Sequence, residues 1–125
     1  MKYGLEINNI TYGETSAVAV DAEGELADGV LTLVYRFDEA DYVLIISEKQ
    51  ITQERRGGVN IFMRVAEEGR SYCTLRDENG EGTMEIEAGG ISVCFDGLSC
   101  KAECRYRFVG GEEETRLTVR AIAIA

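Results

Sequence analysis

From Val20 to Phe37 apolar residues recur at every second position, and the pattern mirrors itself across Asp28-Gly29. A two-residue turn there sets Leu26 opposite Leu31, Gly24 opposite Leu33, Ala22 opposite Tyr35 and Val20 opposite Phe37. Glu25, Glu23, Asp21, Thr32 and Arg36 fall on the other face, with Val34 as the exception. Period two with apolar partners facing each other is the mark of an antiparallel hairpin with one buried face.

The same test applied downstream predicts four more turns. Asn79-Gly80 pairs Leu75 with Met84 and Cys73 with Ile86. Gly89-Gly90 pairs Ala88 with Ile91, Ile86 with Val93 and Met84 with Phe95. Asp96-Gly97 sets Phe95 against Leu98, Val93 against Cys100 and Ile91 against Ala102, and Gly110-Gly111 pairs Tyr106 with Thr115, Cys104 with Leu117, Ala102 with Val119 and Cys100 with Ala121. All keep one common inner face, and a slip by one residue would turn a whole strand inside out. A five-stranded meander over residues 70–124 follows.

Upstream, strands are predicted over Tyr3 to Ile10, Thr15 to Ala27, Val30 to Phe37, Tyr42 to Ser47, Gln50 to Arg55 and Val59 to Ala66. Asp38 to Asp41 and Ala66 to Gly69 read as turns with room for one helical turn. No linker or repeat divides residues 1–125, so one domain is expected: an all-β, antiparallel up-and-down barrel of about eight to ten strands with little helix.

Composition supports this and narrows the chemistry. Proline is absent and glycine numbers 14, so glycine and Asn/Asp supply the turns. Neither a signal-peptide-like apolar run nor a stretch of ~20 apolar residues occurs, and a cytoplasmic protein without a membrane partner is expected. A net charge of −10 argues against nucleic acid. Histidine is missing, which removes the usual general base, the usual zinc ligand and the partner of a Ser or Cys nucleophile. No enzyme, cofactor or metal site is therefore expected. Of the four cysteines, the register puts Cys94 outside and Cys73, Cys100 and Cys104 inside. Cys100 and Cys104 stand about 13 Å apart at strand rise, beyond disulfide reach, so the inner thiols read as small hydrophobes.

Once the hairpins are laid out, Arg56-Gly57-Gly58-Val59, the run GTMEIEAGGISV from Gly82 to Val93, and the closing Tyr106 hairpin with Leu117 and Val119 resemble the YwiB-like family of uncharacterised bacterial proteins. The resemblance covers the chain from about Ala17 onward. It departs where the family often has Thr-Pro-x-Gly and this chain reads Asp77-Glu78-Asn79-Gly80-Glu81-Gly82. It implies a calycin-type, lipocalin-like barrel in a bacterial cytoplasm, and no activity or catalytic residues.

Two kinds of site remain. The leading expectation is a binding module whose barrel interior, lined by Leu33, Tyr35, Met84, Phe95 and Tyr106, holds a small amphipathic or apolar molecule. The alternative is an interaction or structural module that meets an acidic partner, or a second copy as a homodimer, through an edge strand or an arginine-rich face of Arg105, Arg107, Arg116 and Arg120. On that face Arg105 opposes Arg116, Lys101 opposes Arg120 and Arg107 opposes Glu114, with Glu103, Glu85 and Glu87 available diagonally. Arg55 and Arg56 beside Gly57-Gly58 form a further candidate anion contact, a glycine turn whose amides could cup an oxyanion.

Overall fold

The computed structural model describes residues 1–124, and all its regular structure is β. Its strands are β1 (Lys2–Thr11), β2 (Glu14–Ala27), β3 (Val30–Phe37), β4 (Ala40–Ser47), β5 (Gln50–Arg56), β6 (Asn60–Ala66), β7 (Ser71–Asp77), β8 (Gly80–Asp96), β9 (Ser99–Phe108) and β10 (Thr115–Ile124). Each pairs antiparallel with its sequence neighbour, and β1 pairs with β10, which closes an up-and-down barrel. Neither Asp38–Asp41 nor Ala66–Gly69 is helical.

The Asp28-Gly29 hairpin forms as expected, with Gly24 opposite Leu33 and Leu26 opposite Leu31. Both turn residues have positive φ, 53° and 76°, the type I′ geometry that matches strand twist. The register of β9 on β10 is also as expected, from Thr115–Tyr106 to Ala121–Cys100. Its connection, however, is the longer loop 109–114, so Arg107 pairs with Glu87 of β8 and not with Glu114.

Three expectations are corrected. At β7–β8 the loop is Glu78-Asn79 and the pairs are Cys73–Met84 and Leu75–Gly82, a slip of two. The Asp77 carboxylate accepts the Asn79 N–H at 2.8 Å, and this Asx turn starts the corner one residue early. At β8–β9 the loop is Gly97-Leu98, with Gly97 at φ 60° as the first central residue, and Val93 faces Ala102. A slip of two conserves which face each residue occupies, so the predicted interior survives both errors. Gly89-Gly90 is no hairpin: β8 runs on through it with a β-bulge between Ala88 and Gly90. Four strands, β7 to β10, thus replace the expected five.

That bulge explains the geometry of the barrel. β8 pairs with β7 from Gly80 to Ile86 and with β9 from Ile86 to Asp96, and the extra residue at the bulge moves the inward set from Ile86 to Ile91, Val93 and Phe95. Opposite, β2 does the same around Gly24, pairing with β1 through Glu23 and with β3 from Glu23 onward. A Cβ on Gly24 would sit 2.6 Å from the Tyr3 ring and 2.8 Å from Leu33 Cδ2, so only glycine lets these fully buried side chains meet. Two bent strands therefore join a β2-β1-β10-β9-β8 sheet to a β2-β3-β4-β5-β6-β7-β8 sheet around one core.

Candidate functional site

The two ends of the barrel differ. Near the β2–β3, β4–β5 and β6–β7 turns, Leu31, Ile46, Ile51 and Val65 are fully buried. Tyr3 joins them and donates its phenol proton to the Leu98 carbonyl at 2.8 Å. The Ser71 hydroxyl caps the last corner through the Ala66 N–H (3.0 Å) and carbonyl (3.3 Å). Side chains fill this end.

The opposite end, at the β1–β2, β3–β4 and β5–β6 turns, holds a hollow of about 340 Å³. Strands from both sides of the barrel line it with inward-facing residues. Asn9 and Thr11 come from β1, Tyr42 from β4, Gln53 and Arg55 from β5, Ile61 and Met63 from β6, Tyr106 from β9 and Thr115 from β10. Larger depressions of about 450 and 430 Å³ lie on the outer surface among outward residues such as Glu54, Arg56 and Phe62, or Glu6, Ala19 and Asp21. Arg55 and Ile61 border the first of these as well as the hollow, and a depression of about 370 Å³ at the other end borders the buried Ala66, Ser71 and Ile86. The hollow at the open end is lined throughout by inward-facing residues.

Its chemistry is graded. Met63 and Tyr106 are buried, and Ile61 packs against the core beside them. Above this apolar floor, Tyr35 and Tyr42 stack with centroids 4.9 Å apart and planes 4° from parallel. Gln53 Nε2 donates to the Tyr35 hydroxyl at 3.3 Å, and Arg55 Nε donates to the Tyr42 hydroxyl at 3.2 Å. Thr11 and Thr115 share a hydrogen bond of 2.8 Å across the β1–β10 seam. No acidic residue lines the hollow, although the chain carries 23.

Burial pushes the Tyr35 phenol up to about 12, with the Gln53 hydrogen bond acting in the opposite sense. Burial also pushes Tyr106 to about 12, and nearby Cys104 and Cys73 add to the rise. The inner thiols follow, Cys100 to about 11 and Cys104 to about 12, chiefly by desolvation. A reactive thiol needs the reverse shift. All four cysteines are free, Cys94 is exposed and the other three are buried, as the alternation predicted. Among the described residues no group of His, Cys, Asp or Glu side chains is placed to hold a metal ion.

Of the expected interior lining, Tyr106 borders the hollow and Tyr35 stands at its edge through Gln53. Leu33 is fully buried and fills the core, Phe95 packs against the core on β8, and Met84 is 40% exposed in spite of its inward parity. Arg55 and Arg56 part company. Arg55 shares the inward parity of Ile51 and Gln53, whereas Arg56 points outward and pairs with Glu54. The Gly57 N–H donates to Asn60 Oδ1 at 3.2 Å, so the glycine turn satisfies one of its own amides. Gln53, Tyr42, Thr11 and Thr115 are not among the lining residues the sequence predicts, yet Gln53 carries a signal, being two residues from the apolar Ile51 on the same face.

The arginine face forms in the expected register, Arg105 opposite Arg116 and Lys101 opposite Arg120. Glu103 compensates the first pair, accepting from Arg116 at 2.7 and 3.2 Å and lying 3.8 Å from Arg105. Arg107 pairs with Glu87 at 2.8 Å. Glu85 is taken by Arg70, outside this face.

No protein-family model matches the chain, nor does any curated protein. Among solved structures, the crystal structure of the YwiB protein from Bacillus subtilis matches with a TM-score of 0.78 at 14% identity. The match covers 99% of this chain and 92% of that one. The chain therefore shares the YwiB fold, over its whole length and not only from Ala17 onward.

Proposed function

We propose that this YwiB-like barrel is a binding module that takes a small amphipathic molecule into its open end. One observation carries the reading: an interior that is filled at one end keeps a hollow of about 340 Å³ at the other, apolar at its floor and polar at its rim. Natural small-molecule sites combine these features, and this volume lies near the lower limit of their ~300–1,000 Å³ range. The kinship to calycin-type, lipocalin-like barrels implied by the sequence resemblance points the same way. The raised thiols and phenols favour binding over catalysis. Free thiols suit a reducing cytoplasm. A charged exterior around an apolar interior suits water and is the reverse of a membrane barrel.

The test is a fragment screen by amide chemical-shift mapping on the full chain. Shifts should cluster on Tyr42, Gln53, Ile61, Tyr106 and Thr115, and Met63→Trp, which fills the hollow, should abolish them. Shifts scattered over the outer grooves, or unchanged by Met63→Trp, would remove the reading.

A second reading has its own observation. Residues Glu14 to Ala22 of β2 pair with β1 alone, leaving an open edge on which Ala17 and Ala19 are exposed and residues 15–20 carry no charge. Such an edge invites another strand, and a second copy fits because antiparallel edge pairing is self-complementary about a two-fold axis. The ion-paired arginine face offers less to an acidic partner than its composition suggests. A monomeric mass at high concentration by sedimentation would end the homodimer reading; a dimer abolished by Ala19→Lys would support it.

A further inference from the structure

The rim of the hollow has more hydrogen-bond donors than its neighbours use. Arg55 carries five N–H donors in a planar fork. Its Nε serves Tyr42, its Nη1 serves the Val59 carbonyl at 2.6 Å, and no ion pair engages it among the described residues. Tyr42 and Tyr35 each accept a hydrogen bond from a side chain, so their own O–H protons remain available to donate. A half-buried guanidinium, two phenols and no carboxylate, above an apolar floor, describe the complement of one chemical group.

From this we infer that the ligand is a small carboxylate with an apolar body, its head held by Arg55 and the Tyr42 hydroxyl and its tail resting on Ile61, Met63 and Tyr106. The inference rests on the binding reading above. A carboxylate is planar and accepts two parallel hydrogen bonds from a guanidinium, which a neutral amide cannot match. The body must be short, since about 340 Å³ leaves no room for a long acyl chain. Arg56, one residue away but outward and paired with Glu54, serves as the internal control.

The experiment titrates the full chain with hexanoate and benzoate, their neutral amides hexanamide and benzamide, and hexylamine, following the same amide signals. The carboxylates should bind at least tenfold tighter than the amides, and hexylamine weakest. Arg55→Gln should erase that tenfold preference; Arg55→Lys, which keeps the charge but loses the fork, should retain part of it. Arg56→Gln should change nothing. Equal binding of carboxylates and amides, or an unchanged preference in Arg55→Gln, overturns the carboxylate inference and spares the binding reading. Absence of binding by every probe overturns both.

Discussion

The two ends of this barrel are made from the same ten strands and the same alternation, yet one is a core and the other a cup. At the filled end the inward positions are Tyr3, Leu31, Ile46, Ile51 and Val65, all fully buried, and the buried hydroxyls of Tyr3 and Ser71 each donate to a backbone carbonyl. At the open end the inward positions turn polar one after another: Asn9 and Thr11 follow Ile7, Gln53 and Arg55 follow Ile51, Thr115 precedes Leu117. Inward polar residues stabilise nothing by desolvation, and three strands, β1, β5 and β10, place them at this same end. The proposed binding site lies where the fold gives up burial.

The largest effect that would test this contrast is a pair of truncations. Ile46→Ala at the filled end should cost about 2–5 kcal/mol in urea unfolding, because it leaves a cavity in a packed core. Gln53→Ala at the open end should cost under about 1.5 kcal/mol, the net value of one hydrogen bond. Similar losses at both ends would show that the cup is merely more core. A middle-sized effect is expected at the corner strand: Gly24→Ala drives a methyl into Tyr3 and Leu33 and should cost about 1–3 kcal/mol by overpacking, with binding at the far end unchanged.

A further contrast lies in base. Folded Cys100 and Cys104 hold their protons to about 11 and 12, against 9.0 for an ordinary thiol. Above pH 9 the unfolded chain therefore binds fewer protons than the folded one, and stability falls as pH rises. Their contribution is complete below pH 9 and gone by about pH 12, and a Cys104→Ala variant should show a shallower decline in melting temperature over that window. Phenolate absorbance sharpens the comparison, since Tyr35 and Tyr106 should titrate near 12. Titration near 10 would mean that the cup floor is wet.

Most of the fold was legible because face assignment tolerates errors of two. The sequence predicts turns at Asn79-Gly80 and Asp96-Gly97, the structure uses Glu78-Asn79 and Gly97-Leu98, and the strands keep their predicted inner face, while Leu98, expected opposite Phe95, moves into the turn and is 45% exposed. Gly89-Gly90 was harder. A tight turn and a one-residue bulge both switch the apolar set from Met84 and Ile86 to Ile91 and Val93, so periodicity alone cannot separate them. The site was less legible. Arg55 is conspicuous for its glycines, while at the hollow its partner is Tyr42, opposite it in the β4–β5 hairpin, and Thr115 and Asn9 come from strands far apart in sequence. Only closure of the barrel brings them together, and Met84 stays outside the hollow because that same closure leaves its end of β8 exposed.

The β1–β10 seam has a kinetic meaning. Every other pairing joins neighbours across a short turn, but Thr11 and Thr115 meet across 104 positions. Nine hairpins can zip in any order at small entropic cost, whereas the tenth pairing must trap almost the whole chain in a loop. The slow event in assembling this molecule is then a single ring closure, and the threonine pair that marks it stands at the lip of the cup.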